Sequence, residues 1–151
     1  YYLIHVTGKS GYEAHLKKVK SQGIDVDNIG NIIIKPYIYE MEYGLAAADL
    51  VIGRAGASFL AEIMAKALPS ILIPYPYASE NHQEHNARSL EKRGAAQVIL
   101  EKDLNWQSLQ QELEELLLNK NRMIRMAEAS RELGRPGALN EIVKEVMALV
   151  K

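Results

Sequence analysis

Arg54-Ala55-Gly56-Ala57-Ser58-Phe59-Leu60-Ala61-Glu62 follows a short apolar run, Leu50-Val51-Ile52, and leads into an apolar periodic segment. Strand, glycine-bearing turn and helix, in that order, are how α/β proteins aim free backbone N–H groups at a phosphate. The spacing places Ser58 at or near the N-cap and Glu62 about one turn into the helix. A carboxylate there can accept two charge-assisted hydrogen bonds from a ribose diol. The stretch therefore reads as a nucleotide-diphosphate site. The plainer reading stays open at this point: Ser58 as a simple cap and Glu62 as a first-turn acid complementing the helix dipole.

Working outward, strand-like runs fall at Tyr2–Thr7, Asn31–Lys35, Leu50–Gly53, Ser70–Ile73 and Gln97–Leu100. Helical patterns lie between them, at Tyr12–Gln22, Glu40–Ala48, Ser58–Leu68 and His82–Arg93, the last stopped by Gly94. After the last strand only helices remain: Asn105–Leu118, Asn121–Leu133 with Asn121 as N-cap and Gly134 as stop, and Leu139–Val150. The alternation predicts a Rossmann-like parallel sheet with helices on both faces and C-terminal helices packed after the last strand. Right-handed crossovers put every strand-to-helix turn at one edge of that sheet. Thr7–Gly11, Pro36–Glu40, Gly53–Ser58 and the long polar loop after Ile73 are expected to meet there, where open α/β sheets bind ligands.

Composition narrows the chemistry. The 151 residues suit one domain, and a formal net charge of −1 argues against bulk nucleic-acid binding, which needs a basic face. There is no cysteine, hence no disulfide scaffold and no thiolate metal site. No apolar run approaches the roughly 20 residues that span a bilayer. The chain begins on Tyr1-Tyr2-Leu3-Ile4-His5-Val6, already strand-like and without an initiator Met, which reads as a fragment cut inside a sheet. G-x-G-x-x-G, P-loop, G-x-S-x-G and Asp-x-Asp patterns are all missing.

Two further segments carry polar groups suited to a sugar nucleotide. Pro74–Asn86 gathers Asn81, His82, Gln83, His85 and Asn86, and side-chain amides donate and accept as sugar hydroxyls do. His82 and His85, without a nearby carboxylate pair, are weak as zinc ligands. At Pro36-Tyr37-Ile38 an aromatic beside free backbone groups suits a base, although a core tyrosine is the commoner explanation. His5 on the first strand reads as a satisfied buried histidine rather than a catalyst.

Ala48-Asp49-Leu50-Val51-Ile52-Gly53-Arg54-Ala55-Gly56-Ala57-Ser58, Leu60-Ala61-Glu62, Ile71-Leu72-Ile73-Pro74-Tyr75-Pro76, His82-Gln83, Asn86-Ala87, Leu90-Glu91-Lys92 and Gly94-Ala95-Ala96 occur in that order. Together with His5-Val6-Thr7-Gly8-Lys9 they resemble the MurG family, the bacterial UDP-N-acetylglucosamine transferases of peptidoglycan synthesis. The resemblance runs from Tyr2 to about Val150. It implies one half of a GT-B glycosyltransferase, residues 1–151 being the C-terminal, donor-binding domain. The N-terminal acceptor domain and a first strand with its Gly-rich phosphate loop lie outside the chain.

Carried over, Ile38 holds the uracil through its backbone with Tyr37 beside it. Ala57, Ser58 and Phe59 line the diphosphate, and Glu62 binds the ribose hydroxyls. Gln83, helped by His82, contacts the N-acetylglucosamine. Arg54, Gly56, Leu60, Ala61 and Asn86 are counted with the same substrate-binding set. Phe59 stands where the family usually carries Thr.

The resemblance implies an inverting transfer from UDP-N-acetylglucosamine to a lipid-linked N-acetylmuramyl pentapeptide. The general base is then expected in the missing domain, so no catalytic residue is assigned here, and no cofactor or metal is expected. Peripheral association with the cytoplasmic face of the bacterial membrane follows through the full-length protein. A stand-alone UDP-sugar-binding subunit of a split transferase, or the donor domain of a glycolipid transferase, are the rival readings.

Overall fold

The computed structural model describes residues 1–26 and 28–150. The chain forms two compact units, the first Tyr1–Gly44 and the second from Leu45 onward. The first holds β1 (Leu3–Val6), α1 (Tyr12–Ser21) and β2 (Ile32–Lys35), with α2 (Met41–Ala46) at the boundary. The second holds β3 (Val51–Gly53), α3 (Ala57–Ala65), β4 (Ser70–Leu72), α4 (His82–Lys92), β5 (Ala96–Val98), α5 (Trp106–Leu117), α6 (Lys120–Leu133) and α7 (Ala138–Leu149).

All strand pairing is parallel, as the alternation predicts, but the ladders form two sheets rather than one. β1 pairs with β2 from Leu3↔Ile32 to Val6↔Lys35. β3, β4 and β5 form the other sheet, in that order, with Val51↔Ser70 and Ser70↔Ala96 in register. Because the strands are parallel, each sheet carries all its strand-to-helix turns at the carboxyl ends of its strands.

β4 is the centre of the second unit. Ser70, Ile71 and Leu72 are all fully buried, so both faces of this strand are covered. Ile71 clusters with Ile99, Leu116 of α5 and Met126 of α6, and Leu109, Leu113 and Met123 pack around them. The helical period of those leucines in α5 is what the sheet selects: the apolar stripe goes inward and Gln110, Gln111 and Glu114 outward. Arg122 of α6 reaches Gln97 Oε1 at 2.9 Å and Glu115 at 3.2 Å, joining α6 to β5 and α5.

Helix ends explain most of the boundaries. α5 begins with a reciprocal capping box: Asn105 accepts from the Ser108 N–H at 2.9 Å, and the Asn105 N–H donates to Ser108 Oγ at 3.0 Å. The cap of α6 is Asn119, which accepts from the Arg122 N–H at 3.0 Å. The expected Asn121 cap is therefore corrected: Asn119 has the non-helical backbone a cap needs, and Asn121 already lies in the first turn. α4 ends as the glycine predicts. Gly94 adopts φ +77, its N–H donates to Glu91 O at 2.8 Å, and the Ala95 N–H donates to Leu90 O at 3.0 Å. These are the two bonds of a Schellman motif.

The C-terminal helices divide. α5 and α6 pack onto the sheet and α6 also crosses α3, but no residue of α7 is buried. Leu139, Ile142, Val143, Val146 and Met147 stand exposed on α7, so the expectation that every helix after the last strand packs holds for two of the three.

Candidate functional site

The turn between β3 and α3 is the core of the candidate site, and its geometry is that of an open helix end. Gly56 is the N-cap in an extended conformation (φ −70, ψ 139), and no side chain bonds to the amides of the first turn. The Leu60 N–H closes the first helical bond onto Gly56 O at 3.0 Å. The N–H groups of Ala57, Ser58 and Phe59 thus precede the first helical donor and face outward without an internal acceptor. Ser58 lies near the cap, as expected, as the second helical residue rather than the cap itself. It is exposed, and the cap position belongs to a residue with no side chain.

Ser58 and Glu62 are four residues apart, on one exposed face of α3 with Ala57 and Ala61. The Glu62 carboxylate has no hydrogen-bond or ion-pair partner among the described residues. Leu60 departs from expectation: it is 3% exposed, and its N–H is spent within the helix. It supports the turn from beneath and does not line it. Phe59 is half-buried, and its ring lies against Gly53 so closely that a Cβ on Gly53 would stand 2.6 Å from Phe59 Cε1. A side chain on Gly53 would thus force the Phe59 ring to move.

The loop after β4 is braced against this turn from α4. Asn86 Nδ2 donates to Ala55 O at 3.2 Å, fixing the backbone just before Gly56, so Asn86 supports the turn. The Tyr75 N–H donates to Gln83 Oε1 at 3.0 Å. That bond fixes the carboxamide with its NH2 left over, two donors without a partner among the described residues. His82 Nδ1 lies 2.7 Å from Ser79 O. A carbonyl only accepts, so Nδ1 carries the proton and Nε2 is the nitrogen open to a ligand. Glu80 and Asn81 take left-handed backbone (φ 51 and 54), which turns the loop sharply into α4. No sequence signal marks Glu80 for that conformation.

Arg54 is exposed, yet its guanidinium is engaged by the protein itself. Its Nη1 lies 3.2 Å from Ile73 O and 3.4 Å from Pro74 O, and it pairs with the Glu101 carboxylate. Its guanidinium sits over the Tyr75 ring, 5.6 Å from the centroid. The Arg54 hydrogen bond holds the Glu101 carboxyl below the usual carboxylate range. Glu101 and Tyr75 had no signal in the sequence, since Glu101 is 47 residues from its partner. A cavity of about 270 Å³ opens beside this pair, lined by Pro74, Pro76, Asn81, Glu84, Leu100, Glu101 and Lys102. None of the residues expected to hold the donor lines it.

Tyr37 and Ile38 belong to the first unit. Tyr37 is 50% exposed, meets Tyr39 edge-on at 5.0 Å, and has Lys9 Nζ 5.4 Å from its ring centroid. A core position for Tyr37 is thereby overturned, because its ring stands in solvent at the end of β2. Ile38 is half-buried and packs against Gly44. His5 meets His15 edge-on at 4.6 Å, and burial, with the second imidazole beside it, pushes its pKa down. It packs as a structural histidine. Among the described residues no group of three or more His, Cys, Asp or Glu is placed to hold a metal ion, and no helix is long and apolar enough to cross a membrane.

The chain is 52% identical over 149 residues to the UDP-N-acetylglucosamine--N-acetylmuramyl-(pentapeptide) pyrophosphoryl-undecaprenol N-acetylglucosamine transferase of Moorella thermoacetica, covering 99% of this chain and 40% of that protein. To the protein of the same name from Desulforamulus reducens it is 54% identical over 142 residues, covering 94% and 38%. The crystal structure of MurG from Acinetobacter baumannii superposes with a TM-score of 0.77 at 28% identity, over 96% of this chain and 42% of that one. A glycosyltransferase of kitacinnamycin shares the fold alone, with a TM-score of 0.66 at 20% identity over 95% of this chain and 34% of its own. The chain thus spans about two fifths of the length of the curated relatives it matches. The description that matches residues 1–143 is the glycosyltransferase family 28 C-terminal domain, and the chain belongs to that family.

Proposed function

We propose that this chain is the donor-binding part of an inverting transferase that moves N-acetylglucosamine from UDP-N-acetylglucosamine to a lipid-linked N-acetylmuramyl pentapeptide. The observation that carries the reading is the uncapped first turn of α3, with the unpartnered Glu62 carboxylate four residues after Ser58. The amides of Ala57, Ser58 and Phe59 take the diphosphate and Glu62 the ribose diol. Gln83 and His82 take the sugar hydroxyls through the NH2 and Nε2 left open by their internal bonds. Uracil recognition falls to the Ile38 backbone and Tyr37. The printed names of the relatives support donor and acceptor alike.

In this mechanism the acceptor's 4-hydroxyl attacks C1 of the donor sugar, the C1–O bond to the diphosphate breaks with inversion, and UDP leaves. Negative charge grows on the departing diphosphate. Fixed backbone dipoles at a helix N-terminus stabilise that charge without having to reorganise. The base that takes the hydroxyl proton lies outside this chain, in a preceding acceptor domain. A preceding strand with a Gly-rich phosphate loop accompanies it, and the β1 edge left unpaired by β2 supports such a strand. The same preceding domain carries peripheral association with the cytoplasmic face of the membrane.

Glu62→Ala tests the assignment in the full-length protein that carries this chain. Calorimetry is expected to show UDP and UDP-N-acetylglucosamine both weakened, about tenfold to a hundredfold, as for loss of one or more hydrogen bonds to a charged group. The melting temperature stays put, because Glu62 is exposed and unpartnered. Unchanged affinity for both ligands removes the ribose role.

A further inference from the structure

Arg54 and Glu101 lie among the ends of three neighbouring parallel strands. Arg54 directly follows Gly53, the last residue of β3. Ile73 and Pro74 follow β4, beyond its last ladder pair, Leu72↔Val98. Glu101 opens the short turn Glu101–Asp103 after β5. Where β4 leaves the sheet it presents the carbonyls of Ile73 and Pro74, and Arg54 Nη1 is the donor within reach of both. The Glu101 carboxylate accepts from the same Nη1, and the Tyr75 ring centroid lies 5.6 Å from the guanidinium. One side chain thus fixes the Pro74–Tyr75 peptide from carbonyl and ring together. The next group along is the Tyr75 N–H, and it donates to Gln83 Oε1.

We propose that Arg54 and Glu101 are positioning residues for the donor sugar. By holding Pro74 and Tyr75 they place the Tyr75 N–H that orients the Gln83 carboxamide, and so they set sugar affinity without touching sugar or phosphate. The inference rests on the reading of Gln83 as a sugar contact. The hydrogen bonds of the guanidinium converge on Nη1, from the Ile73 and Pro74 carbonyls and the Glu101 carboxylate, so that end of the side chain is committed to the protein's own loops. A planar guanidinium that lies over a ring while donating at its edge suits this task better than an ammonium on a flexible stem, which fixes neither contact in a plane. Both partners are about half exposed (47% and 41%), so as an ion pair alone they would contribute little. Their value lies in the geometry they impose.

The test is calorimetry of UDP and of UDP-N-acetylglucosamine against the full-length protein and its Glu101→Gln, Arg54→Lys, Gln83→Ala and Glu101→Gln/Gln83→Ala variants. Glu101→Gln and Arg54→Lys are expected to leave UDP affinity within about twofold while weakening the sugar nucleotide about three- to tenfold. Glu101→Gln should add little on top of Gln83→Ala, because both act on one contact. Equal weakening of UDP and the sugar nucleotide overturns the proposal in favour of direct phosphate binding by Arg54. No change with either ligand overturns it in favour of an ordinary surface ion pair. A wild-type protein that binds neither ligand removes the donor-site reading itself, and this inference with it.

Discussion

At its N-terminus α3 opens from Gly56, with no side chain on its first amides and with Ala57 and Ser58 exposed. At its C-terminus the same helix is closed. The Ala67 N–H donates to Met64 O at 3.0 Å and the Leu68 N–H to Ile63 O at 3.1 Å, and the chain runs on into buried Leu68, Pro69 and Ser70. There α6 presses in so tightly that a Cβ on Gly134 would stand 2.7 Å from Met64 O. A helix held only for stability has reason to satisfy both ends, as α5 does with its capping box at the start. α3 satisfies one end internally and leaves the first amides of the other exposed, the end that the proposed function gives to the diphosphate. The closed end is what makes the open end usable, since amides can wait for a ligand only on a helix that is otherwise fixed.

The closed end should yield the largest effect. Gly134→Ala puts a methyl group against the Met64 carbonyl, a backbone neighbour that cannot rotate away. Ser130, one turn earlier on α6, is fully buried, so the two small residues together allow the close crossing of α3. Overpacking of this kind costs about 1–3 kcal/mol. That corresponds to a fall in melting temperature of several degrees in a chain of this size. Chemical denaturation gives the loss directly, and UDP affinity measured well below the transition should be unchanged. A fall in affinity as large as the fall in stability would mean that the two ends of α3 are not independent.

The open end should respond in the opposite sense. Gly56 already has the extended backbone of a cap, and its missing Cβ has nothing within 4 Å. Gly56→Asn therefore gives α3 the kind of cap that Asn105 gives α5. A carboxamide bonded to the Phe59 N–H would stabilise the helix by a few tenths of a kcal/mol. It would also take a donor from the diphosphate and weaken UDP about tenfold. Thermal melting and calorimetry on one preparation check both halves. Undiminished affinity would show that the diphosphate does not sit on this helix end.

The two ends also differ in how far the sequence discloses them. The open end is local: strand, glycine, small residues and an acid lie within one short stretch, so its geometry follows from spacing. Even there the spacing places the cap only to within two residues, because Ser58 and Gly56 both suit that position and only the backbone decides. The partners that shape the site are non-local. Glu101 reaches Arg54 from the turn after β5, Asn86 reaches Ala55 from α4, and nothing in the local pattern couples them. Gly134 was legible as a helix stop, but not for its actual reason. It keeps an extended φ of −67, and what demands glycine is the approach of another helix. The apolar stripe of α7 shows the converse limit: period 3.6 announces a face to be covered, and the pattern is silent on what covers it.

The smallest effect belongs to Ala67, the residue that turns the closed end. It sits at φ +55, in the left-handed region where a Cβ crowds the following carbonyl, at the position where helices usually place glycine. Gly94, at the same place after α4, shows the ordinary solution. Ala67→Gly relieves roughly 1–2 kcal/mol of backbone crowding. It gives back about 0.4–1 kcal/mol by freeing the unfolded chain. The net expectation is a gain of about 0.5 kcal/mol, read as a rise of about 1–2 °C in the melting temperature, with UDP affinity unaltered. A loss of stability instead would mean that the Ala67 methyl group, which is only half exposed, contributes packing worth more than the conformation costs. In that case the closed end of α3 would owe its rigidity to side-chain contact as much as to its two backbone bonds.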